Sequence, residues 1–292
     1  MRRRITRREK RKKSKQVIMI STICLLLILG VGYAAFQTNL SIKAKGNIKC
    51  SGTIAKDLLL KEVVNSGDGL YKDTYEITRY FYKGASPKNY ITFNNETWRI
   101  ISLEEDGTLK IIKDESVGQQ VWPDNTLWNA PVEINTYLNS EYLNSISTNY
   151  DKIISHNFNV GIIDDIRNDD LANQIYEENQ IIWNGKIGLL NASEYLRLNS
   201  NVEMCGTSKK ALTNMSNCKN TIWLLKSFFW SINAAYVTDL YKATILGDGG
   251  GIATSIGDKI QLSIHPVLYI SKDTKLCGSG TEENPYTIAN WI

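Results

Sequence analysis

The sequence has few of the residues from which enzyme and metal sites are usually built. Histidine occurs only twice in the 292 residues, as His156 and His265, and no Cys-x-x-Cys pair is present. A zinc site needs three or four nitrogen, sulfur or oxygen ligands at suitable spacings, and the chain offers no such spacing. We therefore predict that the protein holds no metal ion and needs no cofactor.

Motifs of nucleophilic and phosphate chemistry are missing as well. The chain contains no Gly-x-Ser-x-Gly elbow, the strand-to-helix turn that exposes a catalytic serine. The glycine cluster at 247–251 lacks the Gly-Lys-Ser/Thr of a phosphate loop and is typical of a hairpin turn. We predict no catalytic residue, but a hydrolase that acts on the cell wall stays an alternative, because paired carboxylates cannot be recognised without spatial information.

An acidic stretch could supply oxygen ligands for calcium. Its candidates are Asp164, Asp165, Asn168, Asp169 and Asp170. The ligand order of an EF-hand, with glycine at its sixth position, is not present. A solvated acidic loop is the favoured interpretation.

The basic charge of the protein belongs to a tail. Residues 1–16 hold ten Lys or Arg and one acid, Glu9, and so carry +9. The net charge of +4 therefore leaves −5 for residues 17–292. Such a tail beside an apolar segment favours contact with anionic lipid head groups, and we predict no nucleic-acid partner.

That apolar segment, at 17–36, has 20 residues and no charge. A helix of this length spans about 30 Å, the thickness of a bilayer core. The basic flank predicts a cytoplasmic N-terminus and an extracellular C-terminal part, so the protein would be a single-pass protein of the cell membrane. A cleaved signal peptide, with Gly32 and Ala34 before the cleavage site, is the alternative. The length of the segment and its long basic flank favour an uncleaved anchor.

The chain is thus predicted to consist of four parts. A basic cytoplasmic tail covers 1–16, the transmembrane anchor 17–36, a stalk with the first elements 37–65, and an extracytoplasmic domain 66–292. The predicted fold class is α+β, with a mainly antiparallel β domain and a few helices.

The centre of the predicted domain is the stretch at 90–113. Apolar residues alternate with polar ones there, which indicates strands. The pairs Asn94-Asn95 and Asp106-Gly107 supply the positive φ that tight turns need. We therefore predict a meander of three strands.

Other patterns predict the elements around this meander. Helical periodicity covers 54–64 and 132–145, and Asn191 with Glu194 three residues later matches a capping box. Further extended segments are predicted at 75–82, 158–163, 187–190, 221–225 and 235–238, with a last strand at 260–270.

Four cysteines, an even number, lie beyond the predicted anchor. Cys205 and Cys218 flank a polar stretch predicted to be a loop and are the easiest pair, which would leave Cys50 for Cys277. Four cysteines allow three pairings, and four free thiols are the other interpretation. An exported domain favours the two disulfides.

Aromatic residues are the most suggestive feature for function. The chain has seven Trp and fifteen Tyr. The predicted loops carry Trp122, Trp128, Trp183 and Trp230, which we take as candidate ligand-binding residues because aromatic faces bind sugars and peptides. Packing in the core is the competing interpretation of the same rings.

Several segments together resemble a family of uncharacterised surface proteins of Gram-positive bacteria. They are YKGASPKNY at 82–90, FNNETWRIISLEEDGTLKII at 93–112, NTYLNSEYL at 135–143, KIGLLNASEYL at 186–196, HPVLYI at 265–270 and GSGTEENPYTI at 278–288. The resemblance implies an N-terminally anchored extracytoplasmic domain of unknown function, distantly similar in outline to C-type-lectin-like folds. The Glu-Pro-Asn and Trp-Asn-Asp sugar motifs of true lectins do not occur, so a lectin activity is not implied.

The leading functional hypothesis is therefore a membrane-anchored bacterial surface protein with a binding domain. Its ligand would be a glycan or another protein. A cell-wall hydrolase and a self-assembling structural protein of the envelope are the alternatives.

Overall fold

The protein folds into an α+β domain that is dominated by β-sheets. A computed structural model describes residues 50–73, 78–129, 132–166, 180–224, 228–247, 251–255 and 259–289. The predicted tail and anchor, at 1–16 and 17–36, lie outside these residues. Within them, no helix has the length and apolar character needed to cross a membrane.

The described residues form 18 strands in three sheets. Their bounds are β1 (Thr53–Ile54), β2 (Gly69–Asp73), β3 (Arg79–Lys83), β4 (Tyr90–Phe93), β5 (Glu96–Leu103), β6 (Leu109–Lys113), β7 (Gln119–Val121), β8 (Ile153–Ile154), β9 (His156–Asn159), β10 (Ile182–Gly185), β11 (Ile187–Gly188), β12 (Phe229–Val237), β13 (Leu240–Gly247), β14 (Gly251–Thr254), β15 (Gln261–Ser263), β16 (Val267–Ile270), β17 (Lys275–Cys277) and β18 (Tyr286–Ile288).

The helices of the described residues are short. The α-helical segments are Ala55–Leu59, Glu133–Tyr137, Leu143–Ser145, Ala192–Arg197, Val202–Cys205, Ser208–Thr213 and Met215–Cys218. A π-helical turn, Leu138–Tyr142, joins the second and third of these, and 3₁₀ turns lie at Leu60–Glu62 and Tyr150–Lys152.

The predicted meander is confirmed as β4, β5 and β6, at the centre of an eleven-stranded sheet. Asn94 and Asn95 form its first turn, with φ of 52° and 59°, and Gly107 has φ of 92° in the second. Local residue chemistry is thus enough to place both turns. Beside β4, this sheet continues with β18, then β17 and finally β1, so residues 53–54 belong to the same sheet.

The other two sheets are smaller. Strands β9 and β10 pair with each other, and β14, β13, β12, β15 and β7 form a five-stranded sheet. The long β12–β13 hairpin dominates the latter, and the pairing of Gly247 with Gly251 across β13 and β14 agrees with the predicted turn at 247–251.

Two helix predictions are confirmed. Apolar positions at 134, 138 and 142 are buried along one helical run from Glu133 to Ser145. The capping box at the helix Ala192–Arg197 is complete, because Asn191 accepts from the Ser193 amide and the Glu194 carboxylate accepts from the Asn191 amide.

Three strand and loop predictions are wrong. The stretch between Cys205 and Cys218 is mostly helical, since Thr207 caps a helix that packs on β14. Residues 221–224 form a single bridge, Ile222 with Gly84, rather than a strand. The predicted last strand at 260–270 is divided into β15 and β16, which belong to different sheets and are separated by Pro266.

Both predicted disulfides are present. Cys205 and Cys218 are bonded across 13 residues, and Cys50 and Cys277 across 227 residues. The second bond joins the start of the described body to β17, which pairs with β1 on one side and with β18 on the other in the large sheet. The pairing that the sequence favoured among the three possible ones is therefore confirmed.

A buried ion pair links the large sheet to the helix Ala192–Arg197. The Lys110 ammonium lies 2.6 Å from both oxygens of Glu194, and both side chains are at most 4% exposed. The ammonium also faces the rings of Phe158 and Tyr269, at 5.5 and 5.1 Å from their centroids. Arg79 lies 3.9 Å from Glu194 as a second, more distant cation. The charge of Glu194 is therefore compensated mainly by Lys110.

Candidate ligand-binding surface

The four predicted tryptophans come together in one aromatic cluster. Trp122 contacts Trp230 and Trp128, with ring centroids 6.2 and 5.8 Å apart, and Trp128 contacts Trp183 at 5.6 Å. Trp183 continues the cluster to Phe158 at 5.5 Å. Tilted and edge-to-face contacts of this kind each contribute about 0.5–1.5 kcal/mol beyond area burial. The sequence singled out these four rings as candidates but did not predict that they pack on one another.

Most of the rings in this cluster lie in the hydrophobic core. Trp122, Trp128 and Trp230 are at most 2% exposed, whereas Trp183 is partly exposed. The placement of Trp183 and Trp230 in loops is wrong, because they lie in β10 and β12. A ligand could reach only Trp183 directly in this structure, and a binding role for the four tryptophans stays a prediction.

The stretch 122–129 is a true loop, and it is fastened to the tip of the β12–β13 hairpin. The Asn125 amide donates to the carbonyl of Tyr241 at 2.7 Å, and the Asn125 side chain accepts from the Tyr241 amide at 3.1 Å. Asp124 forms an ion pair with Lys242 at 3.2 Å. This stretch, which carries Trp122 and Trp128 and is called the tryptophan loop below, therefore fixes the position of the hairpin.

The hairpin tip, residues 236–241, presents aromatic and apolar side chains to solvent. Tyr236 is 45% exposed and Leu240 is 36% exposed. The ring of Tyr236 lies 5.3 Å from that of Tyr241, and its hydroxyl lies 3.4 Å from the Asp239 carboxylate. Tyrosine offers a large, stiff contact surface with a polar end, so this pair is suited to binding.

The turn of the hairpin tip has an unfavourable backbone. Thr238 and Asp239 have φ of 50° and 66° without being glycine. Positive φ is disfavoured for β-branched residues such as Thr238 and costs of order 1–3 kcal/mol. Such strain concentrates at binding and catalytic sites, which singles out this turn.

Two buried polar atoms close to the loop in sequence lack a partner. The indole nitrogen of Trp128 and the side-chain oxygen of Gln120 make no hydrogen bond to any described residue. Buried groups of this kind are rare and call for a specific explanation. They would be satisfied if a ligand or an ordered water bound beside the loop.

The two histidines have different surroundings. His265 is buried, its Nδ1 lies 3.1 Å from the Lys113 carbonyl, and its ring packs edge-on against Phe229. His156 is half-buried and stacks on Tyr269 at 3.7 Å. Across the residues that the structure describes, no three His, Cys, Asp or Glu side chains are grouped as metal ligands.

One carboxylate near His156 has a shifted pKa. Burial would raise the pKa of Asp106, but hydrogen bonds from the amide and hydroxyl of Thr108 outweigh it. The charges of His156 and Lys272 act in the same direction, so the pKa lies below its ordinary value. Asp106 is thus held as an anion beside its turn, which suits a structural role. The hydrolase alternative stays a prediction.

The sequence reasoning missed the hairpin tip. Tyr236 and Tyr241 lie five residues apart around a Thr-Asp pair, which carries none of the Asn-Gly or Asp-Gly signals of a two-residue turn. The signal that could have found it is the pair of tyrosines at matched strand positions.

Comparison of the chain with protein-family models, with curated proteins and with solved structures finds no match.

Proposed function

We propose that the protein is displayed on the outside of a bacterial cell membrane and binds a partner protein through the hairpin tip. Two disulfides support the export of the body, since such bonds persist in oxidising surroundings. The uncharged segment at 17–36 supports the membrane anchor.

The observation that carries the binding role is the contact between exposed Tyr236 and half-buried Tyr241 on a strained turn that the loop at 122–129 holds in place. The hairpin holds these side chains in place before a partner binds, which is preorganisation of the binding surface. Stiff aromatic side chains on a fixed hairpin lose little entropy when they bind. Leu240 adds an aliphatic contact beside the rings, and tyrosine is enriched at protein interfaces. These features favour a protein over a glycan, and glycan binding is the second outcome that the test must separate.

We expect Tyr236→Ala and Tyr241→Ala to weaken binding by about 30-fold or more, the size of an interface hot spot. The purified full chain in detergent would be screened against protein and glycan arrays, and affinities for the hits measured. Tyr150→Ala is the matched control, because Tyr150 is 39% exposed at a different place. It should bind as the unaltered chain does.

Two results would contradict this proposal. One is a protein hit that binds both tip variants with unchanged affinity. The other is a glycan hit that depends on both tyrosines while protein hits do not. Thermal unfolding would show that the tip variants are folded. Tyr236→Ala, at an exposed position, should change stability by about 0.5 kcal/mol or less.

The display of the body can be tested separately. We expect protease added to intact cells to remove residues beyond the anchor and leave the tail at 1–16 protected. Epitope tags at each end would report which part is cleaved. A body that is protected while the tail is cleaved would overturn the orientation that the basic flank predicts.

A further inference from the structure

The acidic stretch that begins at Asp164 lies beside the hairpin tip. The amide of Tyr236 donates to the carbonyl of Ile163 at 2.9 Å, and Ile163 forms a parallel bridge with Ala235. Asp164 directly follows the residue that accepts this hydrogen bond, so it lies next to Tyr236. Asp164 and Asp165 are both exposed. The contact between the two backbones therefore brings two exposed acidic residues to the edge of the tip.

A third exposed carboxylate lies in the turn itself. Asp239 is exposed, and its Oδ1 lies 3.4 Å from the hydroxyl of Tyr236. The cation that the loop contacts bring to the tip, Lys242, is paired with Asp124 at 3.2 Å. The four aspartates named so far and this lysine leave a net charge of −3, from four negative charges and one positive charge. The exposed ring of Tyr236 is therefore surrounded by negative charge.

We propose that the partner of the hairpin tip presents a basic segment, with an arginine side chain placed on Tyr236. This inference rests on the proposed function, since it names the chemistry of the partner that the tip binds. A guanidinium can stack on an aromatic ring and pair with a carboxylate at the same time. The ring of Tyr236 and the carboxylate of Asp239 offer these two contacts within reach of each other. The same kind of stacking occurs within the large sheet, where the guanidinium carbon of Arg99 lies 3.7 Å from the ring centroid of Tyr90.

Charge decides between a basic and an acidic partner. An anionic glycan or lipid head group would be repelled by the exposed carboxylates of Asp164, Asp165 and Asp239, whereas a basic segment is attracted to them. The net charge of −5 on residues 17–292 acts in the same direction at longer range. An apolar partner would take water from these carboxylates without replacing its hydrogen bonds, which costs free energy. A basic protein surface is therefore the partner that fits both the rings and the carboxylates.

The test uses the full chain in detergent, with an array of peptides as the probe. Each peptide is present in three versions that carry arginine, lysine or glutamine at the same positions. We expect the arginine version of a bound peptide to bind about tenfold more tightly than its glutamine version, with the lysine version in between. Salt at about 1 M should remove most of this preference, because the Debye length is then about 3 Å.

Asp239→Asn is the decisive variant. Asparagine tolerates positive φ as aspartate does, so we expect the turn, where residue 239 has φ of 66°, to keep its backbone. The preference for arginine over glutamine should fall to about threefold or less, while the glutamine versions bind as before. Asp164→Asn combined with Asp165→Asn should act in the same direction. Asp273→Asn, at an exposed position in another turn, is the matched control and should keep the full preference.

Three results would overturn the inference: equal binding of arginine and glutamine versions, an unchanged preference in the Asp239→Asn chain, or no bound peptide at all. In the first two cases the proposed function stands if the bound peptides still depend on Tyr236 and Tyr241. In the third case the protein array decides on the proposed function by itself. Peptides that bind equally well to the Tyr236→Ala and Tyr241→Ala chains would count against the proposed function and against this inference with it.

Discussion

We expect Lys110→Ala to lower the free energy of unfolding by about 3–5 kcal/mol, the range for breaking a buried ion pair. The substitution leaves the Glu194 carboxylate, at most 4% exposed, without the ammonium that lies 2.6 Å from both of its oxygens. Arg79, 3.9 Å away, compensates only part of that charge. Urea unfolding of the full chain in detergent measures the change.

Two further variants show whether the ion pair is the cause. Glu194→Gln removes the charge but keeps an oxygen that can accept from the Asn191 amide. This variant therefore separates the effect of the ion pair on stability from the effect of the helix cap. Asp151→Ala breaks the exposed pair with Lys152 and should change stability by less than about 1 kcal/mol. A Lys110→Ala chain as stable as the Asp151→Ala chain would contradict the account of a buried pair.

The second large effect concerns the disulfide that closes the body. We expect Cys50→Ser with Cys277→Ser to lower stability by about 5 kcal/mol on the chain-entropy model, because the bond closes a loop of 227 residues. Removal of the Cys205–Cys218 bond should cost about 3 kcal/mol on the same model, because that loop spans only 13 residues. Urea unfolding of both double variants measures the difference.

The order of the two losses is the decisive result. Each double variant serves as the control for the other, since both remove one disulfide and add two serines. Loss of the disulfide that closes the 13-residue loop could lower the free energy of unfolding more than loss of the disulfide that closes the 227-residue loop. In that case the stabilisation does not come from constraining the unfolded chain. Packing around buried Cys205 and Cys218 would then be the dominant contribution.

Features that depend on neighbouring residues were predicted well. The meander follows from alternation and from Asn94-Asn95 and Gly107, which adopt positive φ. The capping box follows from Asn191 and Glu194, only three residues apart. These predictions succeed because a turn or a cap is decided within a few residues.

Features that depend on distant segments were predicted poorly. Pro266 separates β15 from β16, and each strand has a partner more than a hundred residues earlier, at 119–121 for β15 and at 109–112 for β16. Strands β17 and β18 were not predicted, since the short runs at 275–277 and 286–288 gain their stability from pairing with β1 and β4. Strand formation depends on such partners more than on intrinsic preference.

The candidate sites show the same division. Composition identified the tryptophans, but whether a ring lies in the core or on the surface depends on what packs against it, and Trp230 and Trp122 shield each other. Exposed Tyr236 and half-buried Tyr241 come together at the hairpin tip only when β12 and β13 pair in register.

The sequence by itself determined the turns, the helix cap, the even number of cysteines beyond residue 36 and the uncharged segment at 17–36. Each of these depends on covalent neighbours or on simple counting. The tertiary structure alone decided which aromatic rings are buried, which charges meet in the core and which side chains face solvent. The physical reason is that burial and electrostatic pairing are properties of contacts between residues far apart in the chain, and such contacts form only when the sheets assemble.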